Sequence, residues 1–197
     1  MPDGCPGIER LALVTGDIKV GKTTVVGQVV ALARARGYIC AGLWAPAHVV
    51  DGRKVGIQAM DLSSGERRLL ARVATDEAGE RLGRYTFDPT VIAWANGILA
   101  AAVAAQPDLL LIDEIGPLEL ERGGGLAPVL ELLAAGRVPR ALVVVRAWLL
   151  DALRARLQGC SVAVFAVAVE TRESVPGPLV DWLFEVTEHC RDGIEKC

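Results

Sequence analysis

The amino-acid sequence predicts an α/β fold: a mainly parallel sheet flanked by helices on both faces, with an antiparallel hairpin added. Three observations carry this expectation. Short apolar runs of strand length alternate with helical segments, the order that gives parallel strands and crossover helices. The first of these strands passes through a glycine-rich turn straight into a helix. A later strand ends in two adjacent acids, and ligands bind at the carboxyl ends of strands in open α/β sheets. A chain of 197 residues, 52% hydrophobic, can bury one substantial core. One domain over residues 1–197 is expected, with flexible ends at 1–9 and 188–197.

In chain order, Leu11–Thr15 is a short apolar run of the buried-strand kind. Thr24 to Arg36 reads as a helix that ends at Gly37, with Gly27 its one interior break. Ile39–Trp44 is a second strand. Val49-Val50, the turn Asp51-Gly52-Arg53-Lys54 and Val55–Leu62 form a hairpin around an Asp-Gly pair, and Gly65–Val73 adds a strand. Asp88-Pro89 starts a helix, an N-cap followed by proline in the first helical position. Val91, Trp94, Ile98 and Ala102 share one face of it, which makes Trp94 a core residue rather than a stacking platform. Pro107-Asp108 precedes the strand Leu109–Glu114. Gly123-Gly124-Gly125 is a flexible connection, and Leu126–Ala135 a helix with Leu126, Val129, Leu130 and Leu133 on its apolar side. Ala141–Val145 is a strand, Leu149–Leu157 a helix, Val162–Val169 a strand and Pro178–Val186 the last helix.

The turn after the first strand, Gly16-Asp17-Ile18-Lys19-Val20-Gly21-Lys22-Thr23, matches GxxxxGK[ST], the P-loop or Walker A pattern. Each position has a mechanical role. The glycines let backbone N–H groups curl inward around phosphate oxygens. Lys22 reaches the β- and γ-phosphates, Thr23 offers a hydroxyl to Mg²⁺, and the helix that starts here aims its positive end at the anion. Gly16 to Thr24 are therefore the candidate nucleotide-binding residues.

Asp113 and Glu114 end an apolar strand, where carboxylates without a partner are costly. Asp113 fits the acid that serves the P-loop magnesium, the Walker B role, with Thr23 as the other metal-holding residue. Glu114 suits a general base for a water lined up on the γ-phosphate. The length between Lys22 and Asp113 suits P-loop proteins in which one strand separates the P-loop strand from the acid-bearing one, mainly ATPases that use a catalytic Glu. Arg146 and Arg172 each follow a strand and are candidates to neutralise charge in phosphoryl transfer. Lys19 lies in the loop itself, and His48 reads as a surface or packing residue.

Net charge is −3 with no basic cluster in the sequence, so no obligate nucleic-acid partner is expected. No apolar stretch reaches membrane-spanning length without a charge or helix breaker, and the first residues lack a secretory pattern, so a cytoplasmic location is expected. The five cysteines, Cys5, Cys40, Cys160, Cys190 and Cys197, show no CxxC spacing. They read as free thiols, although His189, Cys190 and Cys197 form a possible soft-ligand set.

Several segments together resemble a known family. They are TGDIKVGKTT, DGRKVGIQAMDLSSGER, LGRYTFD, LLLIDEIGPLEL, VVVR and VETRESVP, spread from Leu11 to about Leu183. The chain is similar to the P-loop nucleoside-triphosphatases first described from thermophiles and also found as a human cancer-related form. The Ile-Asp-Glu-Ile-Gly-Pro-Leu-Glu run and the Gly-Arg-Lys-Val-Gly hairpin are the specific parts. The resemblance implies a RecA-like fold and slow Mg²⁺-dependent hydrolysis of several nucleoside triphosphates. It also implies that Gly16–Thr24 bind phosphates, Asp113 serves the metal and Glu114 the attacking water, with an arginine at Arg172. Asp17-Ile18-Lys19 stands where the family often has Pro-Gly, and Ala147-Trp148 follows Arg146 instead of a basic pair. The glycine run at Gly123 and the Trp-bearing helix point to a bacterial side branch.

The leading expectation is a Mg²⁺-dependent nucleoside triphosphatase acting on ATP, GTP and related nucleotides, slow and broad in base use. A nucleoside or nucleotide kinase is the alternative, with Arg67-Arg68 and Arg81-Arg84 as the lid it would need. A second alternative is a nucleotide-switched binding module for a protein partner, with Gly123–Gly125 as its mobile segment.

Overall fold

The computed structural model describes residues 10–73, 80–135, 138–157 and 161–185. The expected flexible ends, 1–9 and 188–197, lie outside these residues, as do Cys5, Cys160, His189, Cys190 and Cys197. The chain begins with β1 (Arg10–Thr15), α1 (Lys22–Ala35) and β2 (Cys40–Trp44). An antiparallel region follows: β3 (Ala47–Val50), β4 (Arg53–Asp61), β5 (Arg67–Val73), β6 (Glu80–Leu82) and β7 (Tyr85–Phe87). Next come α2 (Pro89–Ala104), β8 (Leu109–Ile115), α3 (Pro117–Leu120) and α4 (Pro128–Ala134). β9 (Arg140–Val145), a short 3₁₀ turn (Ala147–Leu149), α5 (Leu150–Arg156), β10 (Val162–Ala166) and α6 (Pro176–Phe184) complete it.

One sheet holds the described strands in the order β10-β1-β9-β8-β2-β4-β5-β7-β6, with β3 paired to β4. The run from β10 to β2 is parallel and carries the strand ends of interest. From β2 to β6 the pairing is antiparallel. The addition thus takes in the expected β3–β4 hairpin and the expected strand β5, and extends past them to β7 and β6. β9 separates β1 from β8, which is the expected placement of the P-loop and acid-bearing strands.

Both faces of the parallel block are covered, as its continuous apolar runs require. Ala12 and Val14 of β1 face α1 and α6, packing with Val25, Val29, Leu179 and Leu183. Leu11 and Leu13 face the other way, in one cluster with Val91 and Leu99 of α2, Leu130 of α4 and Leu153 of α5. Trp94 packs against that second cluster, with the Arg68 guanidinium 4.6 Å from its ring centre. Asp88 caps α2 as expected, its carboxylate accepting from Thr90 N–H at 2.8 Å. His48 lies 3.1 Å from the Gln58 side-chain amide on the neighbouring strand, a packing role. Cys40 is a buried free thiol. Among the described residues, no helix is long and apolar enough to cross a membrane.

Boundaries differ from expectation for identifiable reasons. α1 starts at Lys22, two residues before Thr24, because the P-loop turns directly into its first helical hydrogen bond, Val25 N–H to Gly21 O at 3.0 Å. β10 ends at Ala166 because the chain then turns, with Arg172 N–H returning to Ala168 O at 3.0 Å. β6, β7 and α3 are three or four residues long, too short to leave a periodicity.

Gly42 has φ +112° in the middle of β2, and a Cβ there would stand 2.2 Å from the Leu111 carbonyl oxygen of β8. A side chain at this point is both strained and blocked by backbone. Gly42→Ala is expected to cost about 2 kcal/mol or more. Chemical denaturation of the variant against the parent chain checks this; an unchanged midpoint would contradict the close β2–β8 approach.

Candidate active site

The P-loop joins β1 to α1 at the carboxyl edge of the parallel block. Gly16 adopts φ +145° and a Cβ there would stand 2.3 Å from Val167 O, so the loop can run tight against the turn after β10. Lys22 folds back over the loop, its Nζ donating to Gly16 O and Asp17 O, both at 2.8 Å. Burial pushes the Lys22 ammonium below its usual range, opposed by the Glu114 and Asp113 carboxylates. Asp17, Ile18 and Lys19 are exposed, Ile18 to 68%, and Lys19 adopts a left-handed φ of 69°. Thr24 is exposed and Val20 packs into the α1-side core.

Asp113 lies under this loop with 1% of its surface exposed. It accepts from Ala45 N–H at 3.2 Å and makes a side-chain hydrogen bond with Thr23. Burial raises its pKa to about 7, and the Glu114 charge adds to the rise, while Ala45 N–H, Thr23 and Lys22 oppose it. The β8–β9 register slips between Ile112 and Ile115, so the pair of acids sits where the ladder is irregular. Glu114 is half-buried and accepts from Arg146 Nε at 2.7 Å. Arg146 in turn lies over the exposed Trp148 ring, 5.4 Å from its centre.

Lys22, Thr23, Asp113, Glu114 and Arg146 therefore meet at one place. Arg172, exposed on the turn after β10, borders it: a Cβ on Gly21 would stand 3.3 Å from Arg172 Cδ. Such an arrangement can hold a polyanion between the loop, Lys22 and two arginines, beside a carboxylate able to accept a proton. A hydroxyl and a buried carboxylate are also oxygen donors suited to a hard divalent cation that keeps phosphate oxygens and water as its other ligands.

A nucleoside-triphosphatase family model, described as NTPase, matches residues 11–180, both motifs included. The chain belongs to this family. It is 30% identical over 171 residues to the nucleoside-triphosphatase THEP1 of Methanothermobacter thermautotrophicus, covering 87% of this chain and 94% of that protein. It is 35% identical to the THEP1 nucleoside-triphosphatase of Methanopyrus kandleri over 55% of this chain and 59% of that protein. The solution structure of a human cancer-related nucleoside triphosphatase is similar in fold, with TM-score 0.71 and 26% identity. That match covers 91% of this chain and all of that one.

Within this family fold, the Arg67-Arg68 pair considered for a kinase lid lies elsewhere. Arg67 and Arg68 are on β5, three strands from β8, or about 14 Å at the usual strand spacing. Arg68 pairs with Glu66 at 2.8 Å and Arg67 Nε donates to Met60 Sδ. The Arg81 side chain lies outside the described residues. The glycine run is pinned: Gly124 N–H donates to Leu118 O at 2.9 Å and Gly125 O accepts from Asn96 at 2.9 Å.

Two contributors escaped the sequence reading. Glu119, 6% exposed, accepts from Gly116 N–H at 2.8 Å and Leu126 N–H at 3.1 Å, fixing the segment that leaves Glu114. Its signal was a Gly-Pro start with Glu at the third helical position. Trp44 donates its indole N–H to Thr23 O at 3.1 Å, a contact across distant segments that no local pattern announces.

The Asp113 titration gives a pH test. An ordinary aspartate loses its proton near 3.8, whereas folded Asp113 keeps it to about 7. Between those values the folded chain holds a proton the unfolded chain has lost, so stability from this group falls as pH rises and levels off above about 7. In EDTA, the melting temperature of Asp113→Asn relative to the parent is expected to climb from pH 4.5 to 7 and stay level at pH 8. Thermal unfolding across that range checks it; a flat difference contradicts the raised value.

Proposed function

We propose that the protein is a Mg²⁺-dependent nucleoside triphosphatase that releases phosphate from ATP, GTP and related nucleotides with little preference for base. The convergence of Lys22, Thr23, Asp113, Glu114 and Arg146 at one strand edge supports this most strongly. Family membership supports it independently.

In this reading the P-loop N–H groups and Lys22 hold the triphosphate. Thr23 and Asp113 would hold the cation, which when bound there supplies positive charge against the β- and γ-phosphates. The donor set fits: a hydroxyl and a buried carboxylate are hard oxygen donors, and Mg²⁺ is commonly held by one or two protein oxygens plus phosphates and water. Glu114 takes a proton from the attacking water, whose oxygen forms the new bond to phosphorus as the bond to the β–γ bridging oxygen breaks. Arg146 spends Nε on Glu114 and keeps other N–H groups of its planar fork for a phosphoryl oxygen. It thereby ties the base to the group under attack. Arg172 adds positive charge beside Gly21.

Broad nucleotide use is part of this reading because little in the sequence is patterned for one specific base. A cytoplasmic location, where nucleoside triphosphates are abundant, goes with this reading. A protein partner is compatible with it and not required by it.

Phosphate release from ATP, GTP, CTP and UTP, with Mg²⁺ and with EDTA, tests the proposal. Lys22→Ala is expected to fall to background. Glu114→Gln should keep nucleotide binding and lose about 10²–10⁴-fold in kcat. Arg146→Ala is expected to lose about 10²–10³-fold in kcat. Release unchanged by Lys22→Ala would sink the assignment.

A further inference from the structure

Trp44 and Ala45, at the carboxyl end of β2, touch both residues assigned to the cation. The Trp44 indole N–H donates to Thr23 O at 3.1 Å in the first turn of α1. The next residue, Ala45, donates its N–H to Asp113 Oδ2 at 3.2 Å. Thr23 and Asp113 lie 90 positions apart in sequence, on a helix and a strand that the end of β2 touches at both. The indole also meets α1 one turn on, where a Cβ at Gly27 would stand 2.9 Å from Trp44 Cζ2. Gly27 is the interior helical glycine, a choice that costs about 1 kcal/mol of helix propensity against alanine. Its φ is ordinary, so the lack of a side chain serves the approach of the ring.

From this geometry we propose that Trp44 is a positioning residue for the divalent cation. It fixes the first turn of α1 against β2, and so sets the Thr23 hydroxyl at the right separation from the Asp113 carboxylate. The inference rests on the Mg²⁺-dependent nucleotide site proposed above. A fixed pair of oxygens matters for this cation in particular, because Mg²⁺ demands near-octahedral geometry at short distances. The indole N–H bonds a carbonyl oxygen of α1, while Lys22 Nζ donates to Gly16 O and Asp17 O, so nucleotide held without metal is expected to depend on the indole less than nucleotide held with it.

The experiment measures ATP binding by calorimetry at a series of Mg²⁺ concentrations and separately in EDTA, using the full chain, Trp44→Phe and Gly27→Ala. Trp44→Phe keeps one aromatic ring and removes the N–H together with the second ring of the indole; Gly27→Ala keeps the N–H and forces the ring to shift. Both are expected to raise the Mg²⁺ concentration for half-maximal tightening of ATP by about 2–10-fold, the worth of one hydrogen bond. Metal-free ATP affinity should change less than about 2-fold in each. An unchanged Mg²⁺ dependence in both variants overturns the proposal. An equal loss with and without Mg²⁺ also overturns it, since that marks general support of the loop. If the unaltered chain binds no ATP under any condition, the nucleotide-site reading itself has failed, a result distinct from either of these. Circular dichroism on Trp44→Phe separates unfolding from loss of positioning, and Gly27→Ala supplies the second arm.

Discussion

A carboxylate buried at the end of an apolar strand is the constraint around which the fold is arranged. Asp113 is 1% exposed, and burial alone would keep it protonated. Three groups oppose that: the Ala45 main-chain N–H just past β2, the Thr23 side chain from α1 and the Lys22 charge. They arrive from elements that reach β8 only through one topology. β1 and β2 flank β9 and β8 in the sheet, so the helix joining β1 to β2 must cross over both. Its apolar face, Val25, Val26 and Val29, packs in one cluster with Leu111 of β8 and with Leu142 and Val144 of β9. The same crossing brings the first turn of α1 above the end of β8. Core packing and the site are thus products of a single strand order.

Close approach of backbone is the second requirement. Gly16 lets the P-loop run against Val167, Gly42 lets β2 lie against Leu111, and Gly27 lets α1 accept the Trp44 ring. Each removes a side chain where two main-chain segments or a ring must meet, and each lies within a residue or two of a group that contacts Thr23, Lys22 or Asp113, or one helical turn away. The conformational cost is spread over elements whose apolar burial is deep enough to carry it.

What was legible in the sequence followed the range of each interaction. The P-loop spans eight consecutive residues, and each position has its own chemical reason, so Lys22 and Thr23 could be assigned from spacing. Asp113 and Glu114 stood out because charge at the end of an apolar run is conspicuous. Chain length even pointed to the intervening strand, which is β9. Arg146 was identifiable by its place after a strand, yet its bond to Glu114 depends on β8 and β9 being neighbours, which spacing does not record. Trp44 was hidden for the same reason: its partner lies 21 residues away on another element. β6 and β7, three residues each, are strands only because β5 offers an edge. Gly123–Gly125 misled in the opposite sense. Glycines read as flexible, but here they form a turn whose neighbours Gly116 and Leu126 are gripped by Glu119.

The Glu114–Arg146 pair links these levels. Both side chains are about one-third exposed, so in water the pair adds little to stability. Its value is geometric. A glutamate at a strand end has three side-chain torsions to fix before it can orient a water, and a 2.7 Å bond to a planar guanidinium fixes most of that freedom. The guanidinium is itself restrained, with the Trp148 ring on one side and Gly116 close enough that a Cβ there would lie 4.0 Å from Arg146 Nε. Gly116 is held in turn by Glu119. The chain of support therefore runs from a buried carboxylate bonded to main-chain N–H groups, through a glycine and an arginine, to the carboxylate proposed for the water. Two acids five residues apart do opposite work: Glu119 is spent on backbone N–H groups to make the loop rigid. Glu114 is partly exposed with one oxygen bonded to Arg146, which suits the base role proposed for it.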